Sequence, residues 1–266
     1  MNLRVLIFGD VMGGIGRKAI AKILPKLKKE LKPDLIIANA ENIAHGKGIT
    51  QKTLEELKKA GVDFFTSGDH VFDKKEIIPV LEDKNSPLIR PANYPPLASG
   101  FGYKIVEIGI RKILMINLIG RVFMKGDYDC PFRKFDQILE ETKNEKLNAV
   151  IVDFHTEATS EIRAFSFYAD GRASIVFGTH THVPTSDNQI LAEGTGYVSD
   201  VGMAGAKDSV LGVDKENIIK NFLTQMPFEH QIPETGKAII NAIFLEINPK
   251  NKKAEKIKRV DKEVEI

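Results

Sequence analysis

Three carboxylates and three histidines stand out in this chain by type and spacing: Asp10, Glu41, Asp69, His155, and the pair His180 and His182 one residue apart. Carboxylate oxygen and neutral imidazole nitrogen together suit manganese, iron, zinc and related ions. The lone cysteine, Cys130, argues against a Cys-rich structural zinc site. These donors exceed what one ion needs, and two ions sharing a bridging carboxylate would use them all. Two ions about 3.5–4 Å apart form a clamp for in-line displacement at phosphorus. Each residue has an ordinary reading on its own. Asp10 could cap a helix, Glu41 and Asn42 could form a solvated loop, and Asp69-His70 could cap a following helix. His155 could be a satisfied core histidine, and His180-Thr181-His182 a stretch of polar loop. Their agreement in position is what the separate readings leave unexplained.

That agreement comes from the elements ahead of them. Leu3 to Phe8, Leu35 to Ala38, Phe64 to Ser67, Ala149 to Phe154 and Ser174 to Phe177 are short apolar runs that read as buried strands. Asp10 follows the first. Asn39, Glu41 and Asn42 follow the second, and Asp69 and His70 the third. His155 follows the fourth, and His180 and His182 the fifth. In open α/β sheets, ligands bind outside the carboxyl ends of the strands, so neighbouring strands would bring these side chains to one crevice. Gly178, just before the His-x-His pair, lets the backbone turn sharply.

Between the strands, apolar residues at spacings of three and four, such as Ile20, Ile23, Leu24, Leu27 and Leu31, predict a helix over 16–31. Further helices are expected over 50–59, 136–144, 161–169 and 216–225. A Gly109 turn joins strands 103–108 and 112–118 as a hairpin. Strands are also expected over 188–191, 196–199 and 238–247, and the alternating tail 250–266 fits a last edge strand. Such β-α-β alternation argues for a parallel sheet covered by helices. One α/β domain over 1–266 is expected, with lid loops near 90–102 and 120–133.

At 266 residues and 42% hydrophobic, the chain can bury a substantial core. Its 38 Lys and Arg nearly balance 36 Asp and Glu, which excludes a strong basic field for nucleic acid. An anionic substrate must then be captured locally. The single cysteine rules out an intramolecular disulfide and suits a reducing compartment. No apolar run is long enough for a signal peptide or membrane span, so a cytoplasmic protein without a membrane partner is expected. A loose G-x-G-x-x-A at 14–19 starts well past the first strand, where a dinucleotide-binding turn would begin at once. It also leaves the histidines unexplained, and its glycines read instead as a flexible loop leading from Asp10 into the helix.

Five segments carry a family resemblance: Gly9-Asp10-Val11-Met12-Gly13-Gly14-Ile15-Gly16-Arg17, Ala40-Glu41-Asn42, Gly68-Asp69-His70, Asp153-Phe154-His155-Thr156-Glu157, and Gly178-Thr179-His180-Thr181-His182-Val183-Pro184-Thr185. They resemble the YmdB-like branch of the calcineurin-like metallophosphoesterases, and the resemblance spans nearly the whole chain. It implies a four-layer α/β/β/α sandwich of the metallo-dependent phosphatase type. It implies a phosphodiesterase acting on cyclic nucleotides, 2′,3′-cyclic species preferred, with a hydroxide shared by two ions as the nucleophile. Carried over, Asp10 and His182 hold the first ion, helped by Asn42. Glu41 bridges, and Asp69, His155 and His180 hold the second. His70 sits beside the scissile phosphate as general acid or phosphate stabiliser. Iron, as Fe2+/Fe3+, is the metal implied, with manganese a close substitute.

Two positions depart from the wider pattern. The superfamily's Asp-x-His has Met12 at its third position here, as in the YmdB-like branch, and Asn42 compensates. The family's Gly-Asn-His is Gly68-Asp69-His70 in this chain, so Asp10, Glu41 and Asp69 bring three negative charges where the usual set has one fewer. That extra charge is expected to favour a trivalent ion or tighter metal binding. Two other readings stay open: a metal-containing, nucleotide-binding regulatory module with little turnover, and a phosphomonoesterase or RNA-end-processing hydrolase using the same metals. The residues that grip the rest of the substrate are unassigned. Tyr94 or Phe101 as a base-stacking ring and Arg121 as a phosphate ligand are the candidates. The oligomeric state is open, and a homo-oligomer is compatible.

Overall fold

Strand side chains alternate between faces, and here both faces are apolar. In β1 (Leu3–Val11), Leu3, Val5 and Ile7 join one core while Leu6 and Phe8 join another. A sheet apolar on both faces needs cover on each. The computed structural model, which describes residues 1–266, shows how it is supplied. β2 (Leu35–Asn39) and β3 (Phe64–Thr66) continue the sheet in parallel from β1. Helices α1 (Gly13–Leu31) and α2 (Gln51–Ala60), with the short α3 (Ile78–Glu82), cover its outer face.

A second sheet packs against the inner face. It comprises β4 (Tyr103–Ile108), β5 (Arg111–Ile119), β6 (Leu147–His155), β7 (Ile175–Thr179), β8 (Gln189–Ile190) and β9 (Gly196–Val198). β5, β6, β7 and β9 are parallel, and β4 and β8 are antiparallel edges. Ile113, Met115, Ile151, Ile175 and Phe177 face the first sheet, while Leu114, Ile116, Val150, Val152 and Val176 face outward. The outward set is covered by α4 (Pro131–Glu141) and α5 (Thr159–Ala169). Three cores therefore separate four layers, in the order α/β/β/α.

The apolar run 238–247 reads as one strand but forms two. β11 (Lys237–Ile240) pairs with β10 (Met203–Ala206), and β12 (Ala242–Ile247) pairs with β1. The break at Asn241 has a physical purpose. β12 flanks β1 over Leu3–Phe8, and β10 takes over as its neighbour at Asp10 and Val11. Asn241 stands at the handover, its carbonyl accepting from Gly9 N–H at 3.3 Å and its Oδ1 from Met203 N–H at 3.2 Å. The tail likewise splits into β13 (Ala254–Arg259), beside β12, and β14 (Lys262–Glu265), beside β11. A final helix, α6 (Lys215–Thr224), lies on the excursion between β10 and β11.

Two other boundaries differ from expectation. α1 begins at Gly13, so the glycine-rich stretch is the first turn of the helix and not a flexible loop. α4 begins at Pro131, where proline's missing N–H is one the first turn leaves unpaired anyway; the expected 120–133 loop is thus helical at its end.

Candidate metal centre

All seven predicted donors, and His70, meet where strands of both sheets end. Asp10 lies near the end of β1, Glu41 and Asn42 just beyond β2, and Asp69 beyond β3. His155 closes β6, and His180 and His182 follow β7. Asp10 is aimed by a bulge: the β1–β2 register shifts between Phe8 and Asp10. Gly9 sits at that shift, where an added Cβ would come 1.8 Å from the Gly202 carbonyl oxygen, so no other residue fits. The ligand atoms of Glu41, Asp69, His155 and His180 lie within 4.8 Å of one another, and so do those of Asp10, Glu41 and His182. Glu41 belongs to both sets.

Hydrogen bonds fix which nitrogen of His155 and of His182 faces the centre. Thr179 Oγ1 donates its proton to Asp153 Oδ1 at 2.7 Å, so it accepts from His155 Nδ1–H at 2.9 Å. His182 Nδ1–H donates to the Leu211 carbonyl at 2.9 Å. His180 Nε2 lies 3.2 Å from Glu157 Oε2. The other nitrogens point inward. His155 Nε2 is 3.3 Å from Glu41 Oε1 and 3.2 Å from Asp69 Oδ1, and His180 Nδ1 is 3.0 Å from His155 Nε2. Two imidazole lone pairs facing at that distance repel unless a cation or a proton lies between them. A ligating histidine characteristically donates its other N–H to a carboxylate or carbonyl in this way.

Further observations fit a cation. Asp10 Oδ1 and Asn42 Oδ1 are buried without hydrogen-bond partners, an arrangement that costs about 1–3 kcal/mol per group unless an ion satisfies it. Asn42 is otherwise anchored, its Nδ2 donating to the Gly46 carbonyl at 2.9 Å. Gly68 leaves open the space between the carboxylate and the imidazole: a Cβ there would lie 2.2 Å from both Glu41 Oε2 and His155 Nε2. The donor set therefore fits two cations sharing Glu41.

The ionisation pattern agrees. Burial pushes Asp10 up to about 8, and burial together with Asp10's charge pushes Asp200 up to about 7. Burial raises Asp153 to about 6. Burial works against the charge on His155, but Glu41 and Asp69 outweigh it and hold this imidazole well above its ordinary range. Burial, then His155, lowers His180 to about 4. Burial would raise Glu41 and Asp69, but the neighbouring His155 outweighs it and leaves both lowered. Without metal, a proton on His155 stands in for the ion.

This has a consequence for stability. Between pH 6.5 and 8 the native state without metal binds more protons than the unfolded chain, on Asp10, Asp200 and His155 together, so stability falls as pH rises. His180, lowered to about 4, works the other way near pH 6.5, where the unfolded imidazole is still half protonated, and offsets only part of this trend. Chelator-treated protein should melt lower at pH 8 than at pH 6.5, and added Mn2+ should raise Tm more at pH 8. A higher Tm at pH 8 in chelator would contradict this.

His70 stands beside the centre. Its backbone N–H donates to Glu41 Oε2 at 3.2 Å, and its Nδ1–H donates to Asp73 Oδ2 at 3.0 Å, leaving Nε2 free. Asp73, Asp153, Thr179, Glu157 and Leu211 are positioning groups that the sequence reading did not assign. Asp153 carried a signal: a charge inside an apolar strand run, two residues before His155 and so on the same face.

Three sequence expectations are corrected. Tyr94 is no stacking platform for a base. Its ring packs edge-on against Phe72 and Tyr128, and its hydroxyl donates to the Asp69 carbonyl at 3.4 Å, so it supports a donor loop. Arg121 lines neither cavity at the centre; its backbone N–H bonds Glu161. Gly178 lies within β7, and the sharp turns fall on the histidines themselves, with φ 107° at His180 and 63° at His182. Such left-handed backbone at non-glycine residues is uncommon and clusters at functional sites.

The four-layer fold is that of the metallo-dependent phosphatases. The NAD nucleotidase NadN of Haemophilus influenzae shares the fold at 14% identity and TM-score 0.56, over 98% of this chain and 56% of that one. The YmdB-like protein family matches residues 6–260, and the chain belongs to it. It is 44% identical over 258 residues to the 2′,3′-cyclic-nucleotide 2′-phosphodiesterase of Bacillus subtilis strain 168, covering 97% of this chain and 96% of that protein. A solved structure described as a novel phosphatase from Mycoplasma pneumoniae superposes with TM-score 0.92 at 34% identity, over 100% and 95% of the two chains. A hypothetical protein from Thermus thermophilus does so with TM-score 0.90 at 41% identity, over 98% and 99%. No helix of the chain is long and apolar enough to cross a membrane.

Proposed function

We propose that the chain is a dinuclear metal-dependent phosphodiesterase that opens cyclic nucleotides, with 2′,3′-cyclic species preferred. The observation that carries this reading is the pair of donor sets sharing Glu41, into which His155 and His182 turn the nitrogen left free by a separate acceptor. Asp10, His182 and Asn42 would hold one ion, Asp69, His155 and His180 the other, and Glu41 would serve both. Iron, as Fe2+/Fe3+, or manganese suits such oxygen and imidazole donors. When bound, two such ions supply an acidified water and positive charge against the phosphoryl oxygens. The 44% identity to the Bacillus subtilis enzyme supports the 2′,3′-cyclic preference. The single cysteine, Cys130, fits a cytoplasmic setting.

The remaining chemistry belongs to the chain. His70, with Nδ1–H held by Asp73, presents Nε2 to the cavity and gives its proton to the departing ribose oxygen. The Asp73 carboxylate steadies the imidazolium before transfer. The bond from His70 N–H to Glu41 ties the acid's position to the shared carboxylate. Lys47 and Lys74 line the cavity and draw an anionic substrate.

The test is an assay of the metal-loaded protein on 2′,3′-cyclic AMP, 3′,5′-cyclic AMP, a chromogenic diester and a chromogenic monoester. The cyclic 2′,3′ substrate should be the best of the four. Tight binding without turnover would make the protein a regulatory nucleotide-binding module. A preference for the monoester would make it a phosphomonoesterase or RNA-end-processing hydrolase.

Asp69 gives a further expectation. Its carboxylate is held charged beside His155. Asp69→Asn should bind metal about 10–100-fold more weakly, the scale of losses for groups that tune a metal site, with turnover of the loaded protein equal or higher. Metal titration and steady-state kinetics check it, and no change in either contradicts the role given to the extra charge.

A further inference from the structure

The cavity over the metal centre has two lobes. The first, about 580 Å³, extends from Asn42 and His182 to Leu211, Phe228 and Ile232. The second, about 540 Å³, lies over Asp69 and Glu157 beside Phe123 and Met124. Lys47, His70 and His180 line both. Each lobe alone falls within the roughly 300–1,000 Å³ of a small-ligand pocket. A cyclic mononucleotide with its phosphorus at the centre fills one and leaves the other open.

The wall of the second lobe is not what core packing would produce. Phe123 is 84% exposed and sits at φ 63°, a region unfavourable for a bulky side chain. Its loop is held in place by a buried carboxylate: Glu161 accepts from Arg121 N–H at 3.0 Å, Val122 N–H at 3.1 Å and the Thr156 hydroxyl at 3.2 Å. The fold thus anchors an aromatic ring out of the core and beside the reaction centre.

We propose that this trough takes a short linear phosphodiester with a nucleoside on each side of phosphorus: one in the first lobe, the other stacked on Phe123, its phosphoryl oxygens facing Lys47. The proposal rests on the phosphodiesterase reading above. The walls suit such an anion. Lys47, Lys74 and Lys125 are the cations, and Glu157, already held by His180, is the one carboxylate besides Glu41 and Asp69. Stacking accepts any base, because every base has a π-face. The near balance of 38 basic and 36 acidic residues gives no extended track for a long polyanion. In the reaction, a water oxygen bonds to phosphorus, the bond from phosphorus to one ribose oxygen breaks, and that oxygen takes the proton from His70 Nε2. The water's proton passes to solvent. One nucleoside and one nucleoside monophosphate result, and Lys47 acts as a positioning residue.

The test compares adenylyl-(3′→5′)-adenosine with 2′,3′-cyclic AMP on the full-length, Mn2+-loaded protein. Wild type should hydrolyse both. Phe123→Ala should lower the ratio of kcat/KM, linear over cyclic, by about tenfold, chiefly through KM, and Phe123→Trp should restore it. Calorimetry with a hydrolysis-resistant phosphorothioate dinucleotide should show a similar rise in Kd for Phe123→Ala. Turnover of the cyclic nucleotide with the linear one left intact overturns the proposal and spares the phosphodiesterase reading. Equal losses on both substrates in Phe123→Ala also overturn it. Failure of the metal-loaded wild type on both substrates removes the phosphodiesterase reading and the proposal together.

Discussion

Glu41→Gln will strip the protein of its paired ions. Glu41 is the one side chain in both donor sets, it is buried, and its two oxygens are already divided: Oε1 toward His155 at 3.3 Å, and Oε2 accepting from His70 N–H at 3.2 Å. Gln keeps the shape and one acceptor, so the fold should persist. It removes the charge that two cations would share. Groups one step removed from a metal already cost 10–100-fold in affinity or activity when replaced, so a shared donor should cost at least about 100-fold in affinity for both ions. Metal analysis after dialysis should find both ions reduced together, with hydrolysis falling in step. Loss of a single ion, the other staying at full occupancy, would show that Glu41 serves one site only.

His70→Ala should give the complementary result: metals kept, catalysis lost. The His70 ring is hydrogen-bonded to Asp73, belongs to neither donor set, and lines both lobes of the cavity. Proton transfer by a positioned group typically contributes about 10²–10⁴-fold, so kcat should drop by that factor at unchanged metal content. Asp73→Asn should have a smaller effect in the same direction, because it weakens support for the imidazolium and leaves the acid in place. If His70→Ala lost its ions instead, His70 would be reassigned to ligation.

The two variants separate holding metal from moving a proton, roles that the sequence distinguishes only by family resemblance. What was legible in the residues was local. Each donor follows an apolar run, and the side-chain period of a strand fixes which face it serves. That is why the pattern of the chain alone groups Asp10, Glu41, Asp69, His155, His180 and His182. What was hidden depends on distant backbone. The carbonyl of Leu211, 29 positions from His182, fixes that ring's tautomer, and a backbone acceptor leaves no mark on side-chain type. The break at Asn241 is invisible for a related reason: both strands it separates are apolar, and only the exchange of β12 for β10 beside β1 shows where one must end. Tyr94 misled because an aromatic in a Pro-rich loop looks available for stacking, whereas two other rings enclose it. Phe123 escaped because nothing in its sequence neighbourhood shows that Glu161 holds the loop outward.

The central claim is two ions on either side of one carboxylate. Crystals of the protein loaded with Mn2+, measured for anomalous scattering, test it most directly. Two peaks about 3.5–4 Å apart are predicted, both touching Glu41, with Asp10 and His182 on one and Asp69, His155 and His180 on the other. A single peak, or two peaks of which either lies clear of Glu41, would contradict it.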